Sequence, residues 1–274
     1  MPATATRKPK PVLTPLKHIR VEPGKNLPGI LLNTIPKSGS IYLANALCRG
    51  LGIPFMRISG DWFPGDVLVP DQLRILAAGN AVTQEHLDAN PQNRVALNVI
   101  LDRLVVHVRD PRMTTLEWVH HLITERALHG PEATQLQLPE LVPPGFFDLS
   151  MSEKIDHQID HLLPVMIGWL TDWVDASEDA AFRSQILFTR YDDMVADEPA
   201  FYRSILDFYG IAESQFSYEP FQPRASERPE LEGEFHFRNK RTDEWRDVFT
   251  PAQLDRACAM MPKRLLKRFD WPER

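Results

Sequence analysis

A short apolar run that breaks into Pro-Lys-Ser-Gly-Ser and resumes as a helix constrains this chain more than any other stretch. Residues 29–42 read Gly-Ile-Leu-Leu-Asn-Thr-Ile-Pro-Lys-Ser-Gly-Ser-Ile-Tyr. The apolar part has strand length. The run Ile41-Tyr42-Leu43-Ala44-Asn45-Ala46-Leu47 predicts a helix closed by Gly50 or Gly52. A strand, a tight turn and a helix bring free backbone N–H groups to the positive end of a helix dipole, which is an anion site. Lys37, Ser38, Gly39, Ser40, Ile41 and Tyr42 make up this seat. Lys37 adds a full charge and the serines add hydroxyls, so the natural guest is a phosphate. The nucleoside-triphosphatase pattern Gly-x-x-x-x-Gly-Lys-Ser/Thr is not met, because Lys37 precedes Gly39.

At 274 residues, 43% of them hydrophobic, the chain can bury the core of one large or two small domains. Its formal net charge of −6 argues against a general nucleic-acid binder. Residues 1–25 hold six cations against Glu22, a net +5 that leaves −11 on the rest. They read as a flexible basic leader, and residues 26–274 as one domain. An acidic body does not suit a polyanionic partner. Cys48 and Cys258 allow at most one disulfide and no metal cluster, and both fall in predicted helices as buried thiols. No apolar run approaches the roughly 18 residues that cross a bilayer. The first residues lack the apolar core of a signal peptide, so a cytoplasmic protein without membrane contact is expected.

Further along, residues 54–58 predict a second strand, Asp71 a helix cap, and residues 80–84 a weak strand ending at Glu85-His86. The β-branched run Leu104–Val108 stops at Arg109-Asp110-Pro111, and a helix follows to Gly130. Residues 130–150, with four prolines and two phenylalanines, read as a lid. A helix over 152–174 is expected to kink at Pro164. A strand at 185–189 leads into Arg190-Tyr191. Pro199 opens a helix that Gly210 stops, and Thr250, Pro251 and Gln253 form a capped start for the last one. Strands alternating with helices predict an α/β three-layer sandwich on a central parallel sheet, with ligands at the strands' C-terminal ends.

Four segments, in order, resemble the sulfotransferases that use 3′-phosphoadenosine 5′-phosphosulfate (PAPS). Pro36-Lys37-Ser38-Gly39-Ser40 resembles their Pro-Lys-Ser-Gly-Thr loop, which grips the 5′-phosphate. Val105–Arg112 resembles the strand whose terminal Arg, here Arg109, binds the 3′-phosphate. Thr189–Met194 resembles the Tyr-Glu-Asp-Met segment, placing Tyr191 by the adenine. Phe237-Arg238-Asn239-Lys240 with Trp245 and Phe249 resembles the C-terminal signature, implying that Arg238, Asn239 and Lys240 close over the 3′-phosphate. His86 stands where the family has its proton-abstracting His, and Glu85 is the alternative base, since some branches use a carboxylate.

Three residues depart from the family. Glu117 stands where a phosphate-binding Ser is usual and is expected to point away, with Thr114 or Thr115 substituting. Tyr42 replaces a Trp, and Gln84 a Lys. The resemblance implies sulfuryl transfer from PAPS to a hydroxyl or amine of a small, neutral or cationic acceptor, releasing 3′,5′-ADP without a metal. It leaves a homodimer open. An ATP-dependent kinase would prefer a carboxylate where Arg109 stands. A degenerate fold that binds nucleotide or a partner without turnover is the other rival. His157 and His161 have metal-ligand spacing but no third ligand in sequence, and read as a polar helix face.

Overall fold

Four strands, β1 (Ile30–Thr34), β2 (Val82–Glu85), β3 (Arg103–Val108) and β4 (Gln185–Arg190), pair in parallel in the order β2-β1-β3-β4. They come from a computed structural model that describes residues 25–60, 63–130, 140–218 and 241–274. Eleven helices accompany them among the described residues. They are α1 (Ser40–Leu51), α2 (Pro70–Ala77), α3 (Pro91–Ile100), α4 (Pro111–His129), α5 (Met151–His161), α6 (Leu163–Glu178), α7 (Tyr191–Ala196), α8 (Glu198–Tyr209), α9 (Trp245–Val248), α10 (Pro251–Met260) and α11 (Lys263–Phe269).

The strands alternate their side chains between two cores, as a period of two requires. Ile30, Leu32, Val82 and Val105 pack with Leu43 and Leu47 of α1 and Phe201 and Ile205 of α8. Leu31, Leu104, Val106 and Val108 face the larger core, with Met113 and Leu116 of α4, Ile155 of α5 and Trp173 of α6. Strands buried on both faces between helices give the three-layer α/β sandwich with a central parallel sheet that the sequence predicts. No helix among the described residues is long and apolar enough to cross a membrane.

Single elements depart from the sequence reading. Residues 54–58 form no strand. Phe55 makes one parallel bridge to Val82, after which Ile58 N–H donates to the Glu85 carboxylate at 2.7 Å and Ser59 pairs with Leu68. The expected kinked helix at 152–174 is two helices, because Pro164 lacks an N–H and sits in the first turn of α6. Asp71 lies in the first turn of α2, whose N-cap is Val69. Helix α3 was not anticipated; the Asn90 side chain caps it, accepting from Asn93 N–H at 2.8 Å. Cys48 and Cys258 are free and half-buried rather than buried.

Residues 1–24 and 131–139, and with them most of the leader and part of the lid, lie outside the described residues. The described remainder of 130–150 is anchored: Leu141 and Phe146 are buried, and Gln158 donates to the Leu141 carbonyl at 2.6 Å.

Candidate active site

Each strand ends at a residue that the sequence singles out. β2 delivers His86, β1 the Pro36–Ser40 turn, β3 Arg109 and β4 Tyr191. Because the four strands are parallel neighbours, these groups share one edge of the sheet, where an open α/β sheet holds its ligands.

The turn takes its shape from two left-handed residues, Lys37 at φ 63° and Gly39 at φ 79°. Gly39 is the N-cap of α1, and no side chain caps that helix. A Cβ at Gly39 would stand 3.1 Å from Met194 Cε and 3.3 Å from the Tyr191 ring. An uncapped helix start beside a lysine fits a phosphate. The Ser38 hydroxyl donates to the Ile35 carbonyl at 2.7 Å, so it braces the turn. Ser40 is buried at the helix start, Ile41 is exposed, and the Tyr42 hydroxyl donates to Glu198 of α8.

His107, within β3, supports the same turn. Its Nε2 lies 3.0 Å from the Ser38 carbonyl and its Nδ1 2.9 Å from Thr189 Oγ1. A carbonyl only accepts, so Nε2 carries the hydrogen and Nδ1 accepts from the threonine. Burial holds this imidazole down at about 4, so it is neutral at pH 7.

His86 is arranged in the same way. Its Nδ1 stands 2.6 Å from the Thr34 carbonyl and therefore donates. Nε2 is left as the acceptor, with the Gln84 amide nitrogen 3.4 Å away. Burial lowers its pKa to about 4 against the Thr34 hydrogen bond, helped by the Lys37 and Arg57 charges. A neutral imidazole whose Nε2 lone pair is kept as an acceptor in this way can take a proton. Several residues hold it. Asp66 accepts from His86 N–H at 3.1 Å, while Asn33 pairs with both the N–H and the carbonyl of Leu87. Phe63 packs edge-on against both His86 and Trp118, and Lys37 Nζ lies 6.0 Å from the Trp118 ring.

Glu85, the alternative base, is buried elsewhere. It accepts from Ile58 N–H, Thr83 Oγ1 at 2.8 Å and Ser59 Oγ at 2.6 Å, and pairs with Arg57 at 3.3 Å. Its oxygens are taken up in holding the chain after Phe55 against β2.

Arg109 is 4% exposed and stacks its guanidinium 4.0 Å over the Tyr191 ring. It donates to the Lys37 carbonyl at 2.8 Å and the Arg241 carbonyl at 3.0 Å. Glu117 does not point away. Its carboxylate, in α4 eight residues after Arg109, faces that residue at 3.5 Å. Thr114 and Thr115 bond back to the Pro111 carbonyl at 3.0 and 2.8 Å. Lys37 has a pKa lowered to about 7 by burial, against the opposing pull of Glu125 and Glu117. Arg238, Asn239 and Lys240 lie outside the described residues.

The sequence reading missed Asn33, Thr34, Asp66, Phe63 and Trp118 as parts of the site. Polar Asn33-Thr34 at the end of an apolar strand was the one signal available. Among the described residues no cluster of three or more His, Cys, Asp or Glu could hold a metal. His157 and His161 stack at 4.0 Å and donate to the Glu140 and His157 carbonyls.

The fold is that of the sulfotransferases. Mouse sulfotransferase SULT7A1, in a structure complexed with PAP, superposes with a TM-score of 0.50 at 18% identity, covering 88% of this chain and 89% of its own. The sulfotransferase domain of the Synechococcus PCC 7002 olefin synthase gives 0.50 at 15% identity, covering 93% and 99%. No protein-family model matches the sequence, and no curated protein matches it.

Proposed function

We propose that this chain is a PAPS-dependent sulfotransferase acting on a hydroxyl or amine of a small molecule. The observation that carries the reading is the meeting of His86, the uncapped α1 turn, Arg109 and Tyr191 along one sheet edge. The sulfotransferase fold and a neighbour complexed with PAP, the desulfated form of PAPS, support it.

In this reading the α1 N-terminus holds the 5′-phosphate, Tyr191 and Tyr42 flank the adenine, and Arg109 with Arg238, Asn239 and Lys240 faces the 3′-phosphate. His86 Nε2 takes the acceptor's proton as the acceptor oxygen or nitrogen bonds to sulfur. The bond from sulfur to the phosphate oxygen breaks, Lys37 neutralises that oxygen, and 3′,5′-ADP leaves. Catalysis is then positioning and electrostatic stabilisation, with no metal required. The acceptor is neutral or cationic. Glu117 and Glu125 lie within the field of Lys37, and Glu140 and Asp148 are exposed at the described end of the lid. A cytoplasmic location goes with this reading.

The test is thermal shift and calorimetry with 3′,5′-ADP plus a chelator against Mg·ATP, followed by transfer from radiolabelled PAPS to neutral, cationic and polyanionic acceptors. Stabilisation by 3′,5′-ADP and transfer to the first two groups is expected. Response to Mg·ATP alone would make it a kinase; binding without transfer would make it a binding module.

A further inference from the structure

Glu117 brings a negative charge to the place where the reading above puts a phosphate. It is 9% exposed, Arg109 is 4% exposed, and their charged atoms stand 3.5 Å apart. Much of the Arg109 donor set is already engaged, and its Nε is the donor left over. One terminal nitrogen donates to the Lys37 carbonyl and the other to the Arg241 carbonyl, while Nε is buried without a hydrogen-bond partner. The same carboxylate acts on two neighbours: it opposes, with Glu125, the burial that lowers the Lys37 pKa, and it adds to the burial that raises that of Tyr191. Glu117 therefore lies within the field of three groups of the candidate donor site. At this depth salt screens little, and like charges a few ångströms apart repel strongly.

We propose that Glu117 is a built-in anion that competes with the donor's 3′-phosphate for Arg109, and so sets how strongly the site prefers nucleotides bearing that phosphate. The inference rests on the reading that Arg109 faces the 3′-phosphate. A 3′-phosphate can approach Arg109 only against the Glu117 charge, whereas a nucleotide without it meets no such opposition. Glu117 thus weakens the hold on PAPS and on the 3′,5′-ADP product together.

Calorimetry of 3′,5′-ADP and 5′-AMP on the wild-type chain, Glu117→Gln and Glu117→Ser, with a chelator present, tests this. Gln keeps the shape and removes the charge; Ser removes both, and decides should the Gln variant melt at a much lower temperature. The affinity ratio of 3′,5′-ADP over 5′-AMP is expected to rise about tenfold or more, the scale of one charge-assisted contact, with 5′-AMP nearly unmoved. An unchanged ratio with both nucleotides bound overturns the inference and leaves the sulfotransferase reading standing. Equal tightening of both nucleotides also overturns it, by placing Glu117 at the 5′-phosphate. If neither nucleotide binds the folded wild type or its variants, the sulfotransferase reading falls with it.

Discussion

His86 and Glu85 are adjacent in sequence, and their hydrogen bonds decide which can take a proton. His86 gives its Nδ1 hydrogen to Thr34 and keeps Nε2 as an acceptor, whereas Glu85 accepts from three donors and faces Arg57. His86→Ala should lower kcat by roughly 10²–10⁴-fold while 3′,5′-ADP affinity stays the same. Glu85→Gln should cost stability, about 1–3 kcal/mol, with a smaller loss of kcat. A folded Glu85→Gln enzyme as slow as His86→Ala would move the base to Glu85. Lys37 makes a second prediction at this scale. With a pKa near 7 it is largely neutral at pH 8, and a bound phosphate favours its charged form. Binding of 3′,5′-ADP at pH 8 should therefore take up close to one proton, seen as a dependence of calorimetric heat on buffer ionisation. Lys37→Arg, which stays charged, should abolish the uptake; an unaltered buffer dependence would remove Lys37 from the phosphate.

At the scale of elements, the junction of β1 and α1 depends on one glycine. Gly39 sits at φ 79°, and a side chain there meets Met194 and the Tyr191 ring. Gly39→Ala should therefore cost about 1–3 kcal/mol through backbone strain and contact, and should weaken 3′,5′-ADP more than it lowers the melting temperature. An alanine variant that binds normally would show that the turn does not hold the phosphate. This junction was legible in sequence because strand, turn and helix are contiguous and each carries its own local signal. The other strand ends were legible for the same reason: apolar runs stop at His86, Arg109 and Tyr191. Residues 54–58 were misread because their fate depends on Glu85, about thirty residues away, which draws off Ile58 N–H. The break before α6 was half legible, since Pro164 gave its position but not whether the chain would bend or restart.

At the scale of the molecule, strand order is what the sequence could not give. Parallel pairing joins residues far apart, as in Leu32 with Val105 or Val106 with Phe188, and no local pattern encodes such partners. Glu117 faces Arg109 from two turns into α4, eight residues on, where the sequence reading had it pointing away. His107 is a residue that only the assembled sheet explains. It joins β3 to Thr189 of β4 and to the carbonyl of Ser38, tying the turn between β1 and α1 to the sheet. Its pKa is lowered to about 4 by burial, below the usual value near 6.5. Between these values the unfolded chain binds the proton and the folded chain does not, so His107 makes stability rise with pH across that window. The contribution is complete above about pH 6.5 and is lost as pH falls toward 4. His86 acts in the same direction, and Asp66, raised by burial to about 6, acts in the opposite one, so the total slope does not isolate His107. A comparison with His107→Asn does. The variant should be about 1–3 kcal/mol less stable at pH 7, for two buried hydrogen bonds lost or lengthened. Its unfolding free energy, from urea titrations between pH 4.5 and 7, should fall less steeply with acid than that of the wild type, by up to one proton's worth of slope. Parallel curves would show that His107 takes up its proton without unfolding, and that its link from sheet to turn is not the one drawn here.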